Sequence, residues 1–299
     1  MKKLMNLGLI LILVLSLLAG CAGNETAEEP ASNEQENQET NSTEQTNDGS
    51  EYKDGIYFAQ EDKFNPESGW KYMVTLEVKD GKIVSADWNG ANINAGIDKK
   101  TTSKEGKYQM VEKGGAQAPW YEQAEKAEAF LIDTQDPTAI EYKDDEGHTD
   151  AISGVSIHVK EFFTLAKEAL ENGPVGKGQY KDGAYHAEED SFDENSGWKY
   201  TVDLTVINGN IVAANWNGVH KDGGDDKNTQ SMNGEYVMKE GGTPWHEQAM
   251  AAEEFLIDSQ DPTAIQYSDD EGHTDAISGV SIHVKEFFEL AQKALADAK

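Results

Sequence analysis

Asp150, Ser153, Gly154 and Ser156 fall within one short stretch, and Asp275, Ser278, Gly279 and Ser281 repeat the same residue types at the same spacing. The surrounding segment, Glu146 to Phe163, returns without change as Glu271 to Phe288. Each stretch runs into an apolar-periodic segment, His158 to Leu170 or His283 to Leu295, which predicts a helix. A glycine with hydroxyls on either side, ahead of a helix, has two readings. Free backbone N–H groups and the positive end of the helix suit a phosphate, or Ser156 and Ser281 cap their helices. A second chemistry is open to the same segment, because Glu146, His148, Asp150 and His158 can be gathered on paper into a metal site. Alternate residues in a loop, however, specify no coordination geometry. Trp88-Asn89-Gly90 and Trp216-Asn217-Gly218 offer a ring to a flat cofactor, or else a core tryptophan followed by a turn.

The elements that must position these residues come in duplicate. The stretch beginning Tyr52-Lys53-Asp54-Gly55 returns from Tyr180, and Pro119 to Ala124 (PWYEQA) returns as Pro244 to Ala249 (PWHEQA). A period this long describes a duplicated globular unit rather than a solenoid. Trp70, Tyr72, Val74, Leu76 and Val78 alternate as a half-buried strand does, and Trp198 to Val206 do the same. Asp80-Gly81 and Asn208-Gly209 predict tight hairpins, with return strands at Ile83 to Trp88 and Ile211 to Trp216. Prolines precede helical stretches at Trp120 to Ile132 and Trp245 to Ile257, where Trp120 and Trp245 read as packing residues at the helix start. The expected fold is α+β: two tandem domains, 51–171 and 180–299, joined by a linker at 172–179, each an antiparallel sheet packed with helices.

Charge and cysteine content close off other classes. The 56 acidic residues against 25 lysines and arginines give a formal charge of -31, which repels a nucleic-acid backbone. One cysteine excludes an intrachain disulfide and any cysteine-ligated zinc or iron-sulfur centre. That cysteine is Cys21, which follows Lys2, Lys3, an apolar run from Leu7 to Leu18, and Ala19-Gly20. The run is too short to span a bilayer once processed and reads as an export signal. Leu18 to Cys21 resembles a bacterial lipobox, which implies a lipoprotein signal peptide at 1–20 and acylation of Cys21. The protein is then expected on the extracytoplasmic face of the cell membrane, lipid-anchored. Residues 21–50 read as a polar, acidic tether with too little apolar surface to order itself.

The segment Asp-Ala-Ile-Ser-Gly-Val-Ser, Asp150 to Ser156 and Asp275 to Ser281, resembles the flavinylation signature of the FMN-binding domain family. That family includes the C subunit of sodium-pumping NADH:quinone reductase and the G subunit of the Rnf complex. The resemblance implies two FMN groups, each in phosphoester linkage to Ser156 or Ser281. Asp150, Ser153, Gly154, Asp275, Ser278 and Gly279 match the remaining signature positions. An FMN transferase with FAD as donor would attach them. Valine stands for the usual alanine at Val155 and Val280, and serine for the acceptor threonine. The two-domain lipoprotein layout is similar to the FMN-bearing lipoproteins of Gram-positive extracellular electron transfer. It implies a carrier between a membrane electron donor and an extracellular acceptor, such as ferric iron or a partner reductase, rather than a stand-alone enzyme. Some of these lipoproteins release a pheromone from the signal peptide, a role for which Leu13 to Gly20 has the apolar character. Two alternatives stand beside this reading: a lipoprotein that binds a substrate or partner without flavin, and a metal-binding surface lipoprotein.

Overall fold

The computed structural model describes residues 52–299 apart from position 240. The signal segment, Cys21 and the tether lie outside the described residues, which all fall within one compact unit. The architecture is mixed α+β, with two three-stranded antiparallel sheets packed with helices. The first repeat runs β1 (Gly55–Gln60), β2 (Trp70–Lys79), β3 (Lys82–Asn92), α1 (Lys99–Lys104), α2 (Trp120–Thr134) and α3 (Lys160–Asn172). In the second come β4 (Gly183–Glu188), β5 (Trp198–Ile207), β6 (Asn210–His220), α4 (Lys227–Met232), α5 (Trp245–Ser259) and α6 (Lys285–Ala294). Strand order follows chain order in both sheets. Among the described residues, no helix is long and apolar enough to cross a membrane.

The hairpins form where the dipeptides predict them. Asp80 and Gly81 have φ of 52° and 71°, and Asn208 and Gly209 have 50° and 74°, the paired positive angles that match strand twist. The return strands run four residues further than expected. Trp88, Asn89 and Gly90 therefore lie inside β3, paired with Val74, Met73 and Tyr72, and do not form a turn. The Asn89 carboxamide oxygen instead accepts the Lys100 N–H at 3.0 Å, tying the strand to a helix, α1, that periodicity did not reveal. Asp98 caps that helix by accepting the Thr101 N–H, as Asp226 does from Thr229 in α4.

Helices α2 and α5 end at Gln135 and Gln260, which are left-handed at φ 60° and 56°. Each glutamine side chain then acts as a strand partner: Gln135 bonds both the N–H and the carbonyl of Ile83, at 2.8 and 2.9 Å. Gln260 does the same at Ile211. These contacts hold the helix across the sheet, so that Val74, Leu76 and Trp88 share a buried cluster with Ala124, Leu131, Phe162 and Phe163. The second repeat builds the equivalent cluster around Trp216 and Phe287.

The second face of the strands is covered in part, although their alternation suggested an open one. Met73 and Ala91, on the opposite face of the first sheet, join Ile207, Val212 and Ala213 of the second in a third apolar cluster. Burying one such large side chain stabilises by about 1.5–3 kcal/mol. The Thr205 hydroxyl donates to the Gly96 carbonyl at 2.8 Å across the same contact. The connection at 172–179 is also fastened. Val175 and Gly176 donate to the Ile56 carbonyl, and Gly178 donates to that of Asn208. A Cβ at Gly178 would collide with the backbone of Gly209, so this close approach requires glycine.

Candidate functional site

The signature loop is a turn anchored by its apolar members. Ile152 and Val155 are buried, and the Val155 N–H donates to the Ile152 carbonyl at 3.3 Å. That anchoring leaves Ser153, Gly154 and Ser156 exposed. Gly154 has φ +74° and Gly279 +80°, angles that a side chain would strain. Val155 belongs to the core cluster beneath the loop, so the departure from alanine is accommodated by packing. Behind the loop, the Thr149 hydroxyl donates to the Glu141 carbonyl and accepts the Ala151 N–H, with Thr274 in the same role.

Ser156 is held by a residue that the loop sequence does not contain. The Gln123 side-chain oxygen, fully buried on α2, accepts the Ser156 N–H at 2.7 Å, its hydroxyl at 3.2 Å and the Ile157 N–H at 3.2 Å. The Gln123 amide in turn donates to the Ala118 carbonyl at 2.8 Å. Gln248 repeats the arrangement for Ser281 and Ile282. These bonds correct the capping reading of the loop. Ser156 and Ser281 are not helix caps: α3 and α6 begin at Lys160 and Lys285, behind Val159 and Val284, which make no side-chain cap. Four N–H groups of this segment, those of Val155, Ser156, Ile157 and Val159, donate within the protein. What the loop does present is an exposed primary hydroxyl of fixed orientation. A carboxamide oxygen cannot take its proton, so Gln123 orients the hydroxyl without activating it.

The two loops differ in what surrounds them. Lys143, Asp150, Gly154 and Ser156 line a surface depression of about 430 Å³ in the first repeat. The Lys143 ammonium is 3.3 Å from the Asp150 carboxylate, and the Lys126 ammonium is 3.3 Å from the Gly154 carbonyl oxygen. Their counterparts in the second repeat are Ser268 and Ala251. The related depression there, about 330 Å³, is lined by Ser268 and Asp275 and has no lysine. Only the first loop therefore has two cations placed to attract a phosphate.

The tryptophans Trp88 and Trp216 are core residues, each 1% exposed, and neither can stack on a ligand at the surface. Each donates its backbone N–H to a buried carboxylate, Glu128 at 2.7 Å or Glu253 at 2.6 Å. Trp120 and Trp245 pack at the helix starts as expected and help enclose a buried lysine. The Lys99 ammonium lies 4.3 Å from the Tyr108 ring centroid, 4.5 Å from Trp70, 5.0 Å from Tyr72 and 5.5 Å from Trp120. Burial pushes its pKa down to about 7. Lys227 sits in the matching cage, with its pKa lowered to about 8 by burial. Glutamines 123 and 248 and these lysines escaped the sequence reading. Their signal was the repeat of PWYEQA as PWHEQA and of Asp98-Lys99 as Asp226-Lys227.

The four residues considered for a metal do not assemble as a set. Asp150 faces Lys143, while the His148 and His158 rings stand 4.9 Å apart. In the second repeat Glu271, His273 and His283 bring donor atoms within 4.8 Å of one another, without Asp275.

No protein-family model matches the chain, and no curated protein matches it. Two solved structures are similar over about one repeat's length. A solution NMR structure of a protein from Clostridium thermocellum is 62% identical, with a TM-score of 0.33, covering 40% of this chain and 91% of that one. A crystal structure of a Clostridium perfringens protein is 25% identical, also with a TM-score of 0.33, covering 41% of this chain and 88% of that one.

Proposed function

We propose that this chain is a lipid-anchored extracytoplasmic electron carrier of the FMN-binding domain family, with one FMN esterified to Ser156 and another to Ser281. Cys21 is the anchor in this reading, and residues 21–50 form the tether. The observation that carries it is the presentation of the two serines. Each stands exposed in an identical loop, and its hydroxyl is oriented by a buried glutamine that belongs to another element. A structural serine needs neither that exposure nor that support. The residues fit the group: an exposed primary hydroxyl in each loop, with Lys126 and Lys143 placed to neutralise a phosphodiester in the first.

Attachment is a phosphoryl-group transfer without net oxidation. The serine Oγ forms a bond to phosphorus of FAD as the pyrophosphate bond breaks, AMP leaves, and the hydroxyl proton passes to a base on the FMN transferase. The chain contributes the positioned nucleophile. Gln123 and Gln248 hold the loop N–H groups and hydroxyls in place, while Gly154 and Gly279 allow the turn. The bound group supplies reversible electron carriage between a membrane donor and an extracellular acceptor or reductase. Covalent attachment prevents its loss by diffusion outside the cell.

Peptide mass spectrometry tests the reading on protein exported with an FMN transferase present. Two added FMN groups are expected, on the peptides carrying Ser156 and Ser281, with one lost in each Ser→Ala variant. Unmodified protein, alongside a flavinylated positive control, overturns the proposal and leaves a flavin-free binding lipoprotein.

A further inference from the structure

We propose that Glu271, His273 and His283 form a binding site for a divalent transition-metal ion of the zinc class. Among the described residues these side chains are the group of three whose donor atoms all lie within 4.8 Å of one another. They come from both sides of the signature loop: Glu271 and His273 precede it, and His283 follows. The His273 N–H and Nδ1 both bond the Asp269 carboxylate, at 3.0 and 2.6 Å. An ionised carboxylate only accepts, so Nδ1 carries the hydrogen and Nε2 keeps its lone pair, the tautomer a metal requires. The His283 ring packs edge-on against His273, with centroids 4.8 Å apart, which brings a second imidazole to the same place. The donor set of two imidazoles and one carboxylate suits zinc with a fourth position open. Two donors on one ion are at most about 4.2 Å apart. The Glu271 carboxylate lies 4.0 Å from His273 Nδ1, so it must swing toward Nε2 as the cluster closes, and Glu271 and His283 are both exposed.

The first repeat has the same residues, Glu146, His148 and His158, with Asp144 on His148. There Lys143 lines the depression shared by His148 and Ser156, and its ammonium opposes a cation. Ser268 takes that position in the second repeat and removes the opposition. The site does not depend on flavin attachment, since no donor is a flavin acceptor.

Calorimetric titration of zinc chloride into the purified, unflavinylated full chain in detergent at neutral pH decides the matter. One saturable site per chain is expected, reversed by EDTA. Binding should vanish in His273→Ala and His283→Ala but persist in His158→Ala. Asp269→Asn should weaken it about tenfold or more by releasing the tautomer. Glu271→Gln, at an exposed position, removes a ligand with the least risk to folding and should also weaken binding. Absence of saturable uptake overturns the proposal. So does uptake that survives in the His273→Ala/His283→Ala double variant, or that is lost in His158→Ala instead.

Discussion

In the first repeat Lys100 pairs with both Asp87 and Glu128 beneath Trp88, whereas the equivalent positions in the second repeat are Asn228, Asn215 and Glu253. Asn228 bonds the Asn215 side chain and the Trp216 carbonyl, and Glu253 receives the Trp216 N–H without a cation. Burial raises the Glu128 pKa, but Lys100 acts against the shift. Glu253 lacks that help, and burial pushes its pKa up to about 8. The first repeat thus pairs its buried glutamate with a lysine, and the second leaves its glutamate where burial disfavours the charged form. The bond kept in both is the one from the tryptophan N–H to the glutamate oxygen. The backbone donor has to be satisfied, while the charge around it was free to diverge.

The same divergence reaches the signature loops. Lys126 and Lys143 flank the first, and Ala251 and Ser268 flank the second. Identical loop sequences are therefore set in different electrostatic surroundings, with two lysines beside the first where the second has alanine and serine.

Breaking the buried pair should have the largest effect. Lys100→Met leaves Glu128 without its cation and should lower unfolding free energy by about 3 kcal/mol, measured by urea titration. Asn228→Ala, at the matching position, should lose only about 1 kcal/mol because no charge is abandoned. Equal losses in the two variants would show that the networks carry the same load.

Turn strain comes next. Gly154→Ala and Gly279→Ala force a side chain into left-handed backbone and should each destabilise by about 1–2 kcal/mol. The first also brings a methyl to 2.6 Å from the Lys126 ammonium, which is at the end of a flexible chain and can move. The two losses should therefore be similar.

The pH dependence has two contributions of opposite sign, from buried glutamates and from caged lysines. Glu253 has a folded pKa raised from 4.5 to about 8, so its contribution to stability is fully present below pH 4.5 and lost as pH rises through about 8. Glu253→Gln keeps an oxygen for the Trp216 N–H and should flatten that fall in urea titrations across the same range. Lys99 acts oppositely. Its pKa drops from 10.5 to about 7 on folding, so the unfolded chain binds more protons between those values and stability rises with pH there. Lys99→Met should remove its share of that rise and leave the part that Lys227 contributes above about pH 8.

The smallest expected effect tests the loops. Replacing Lys126 by Ala and Lys143 by Ser gives the first loop the second loop's surroundings. Flavin loading at Ser156, followed by mass spectrometry, should slow severalfold toward the rate at Ser281. An unchanged rate would mean that the lysines do not assist attachment.

Much of the fold was legible because its signals are local. Strand alternation, the Asp80-Gly81 and Asn208-Gly209 turns, the prolines before α2 and α5, and the exact repeat of residues 146–163 each lie within a few residues of the element they specify. The hydroxyls of Ser156 and Ser281 were visible for the same reason. Their support was not, because Gln123 reaches Ser156 across 33 residues. Helix α1 was missed because it is only 6 residues long and its start is marked only by the Asp98 cap.

By itself the sequence determined the duplication, the strands and hairpins, the longer helices and the chemistry available in each loop, since backbone preference and apolar period act over short distances. Tertiary structure alone decided that Met73 and Ile207 share a cluster and that Lys99 is enclosed by four rings. It also decided that Ser156 rests on a glutamine rather than on a helix end, and that His273 and His283 stand together. The cluster of Met73 with Ile207 and the bond from Ser156 to Gln123 join residues far apart in the chain and need the packing of the elements to form, while His273 and His283 are brought together by the fold of the segment between them.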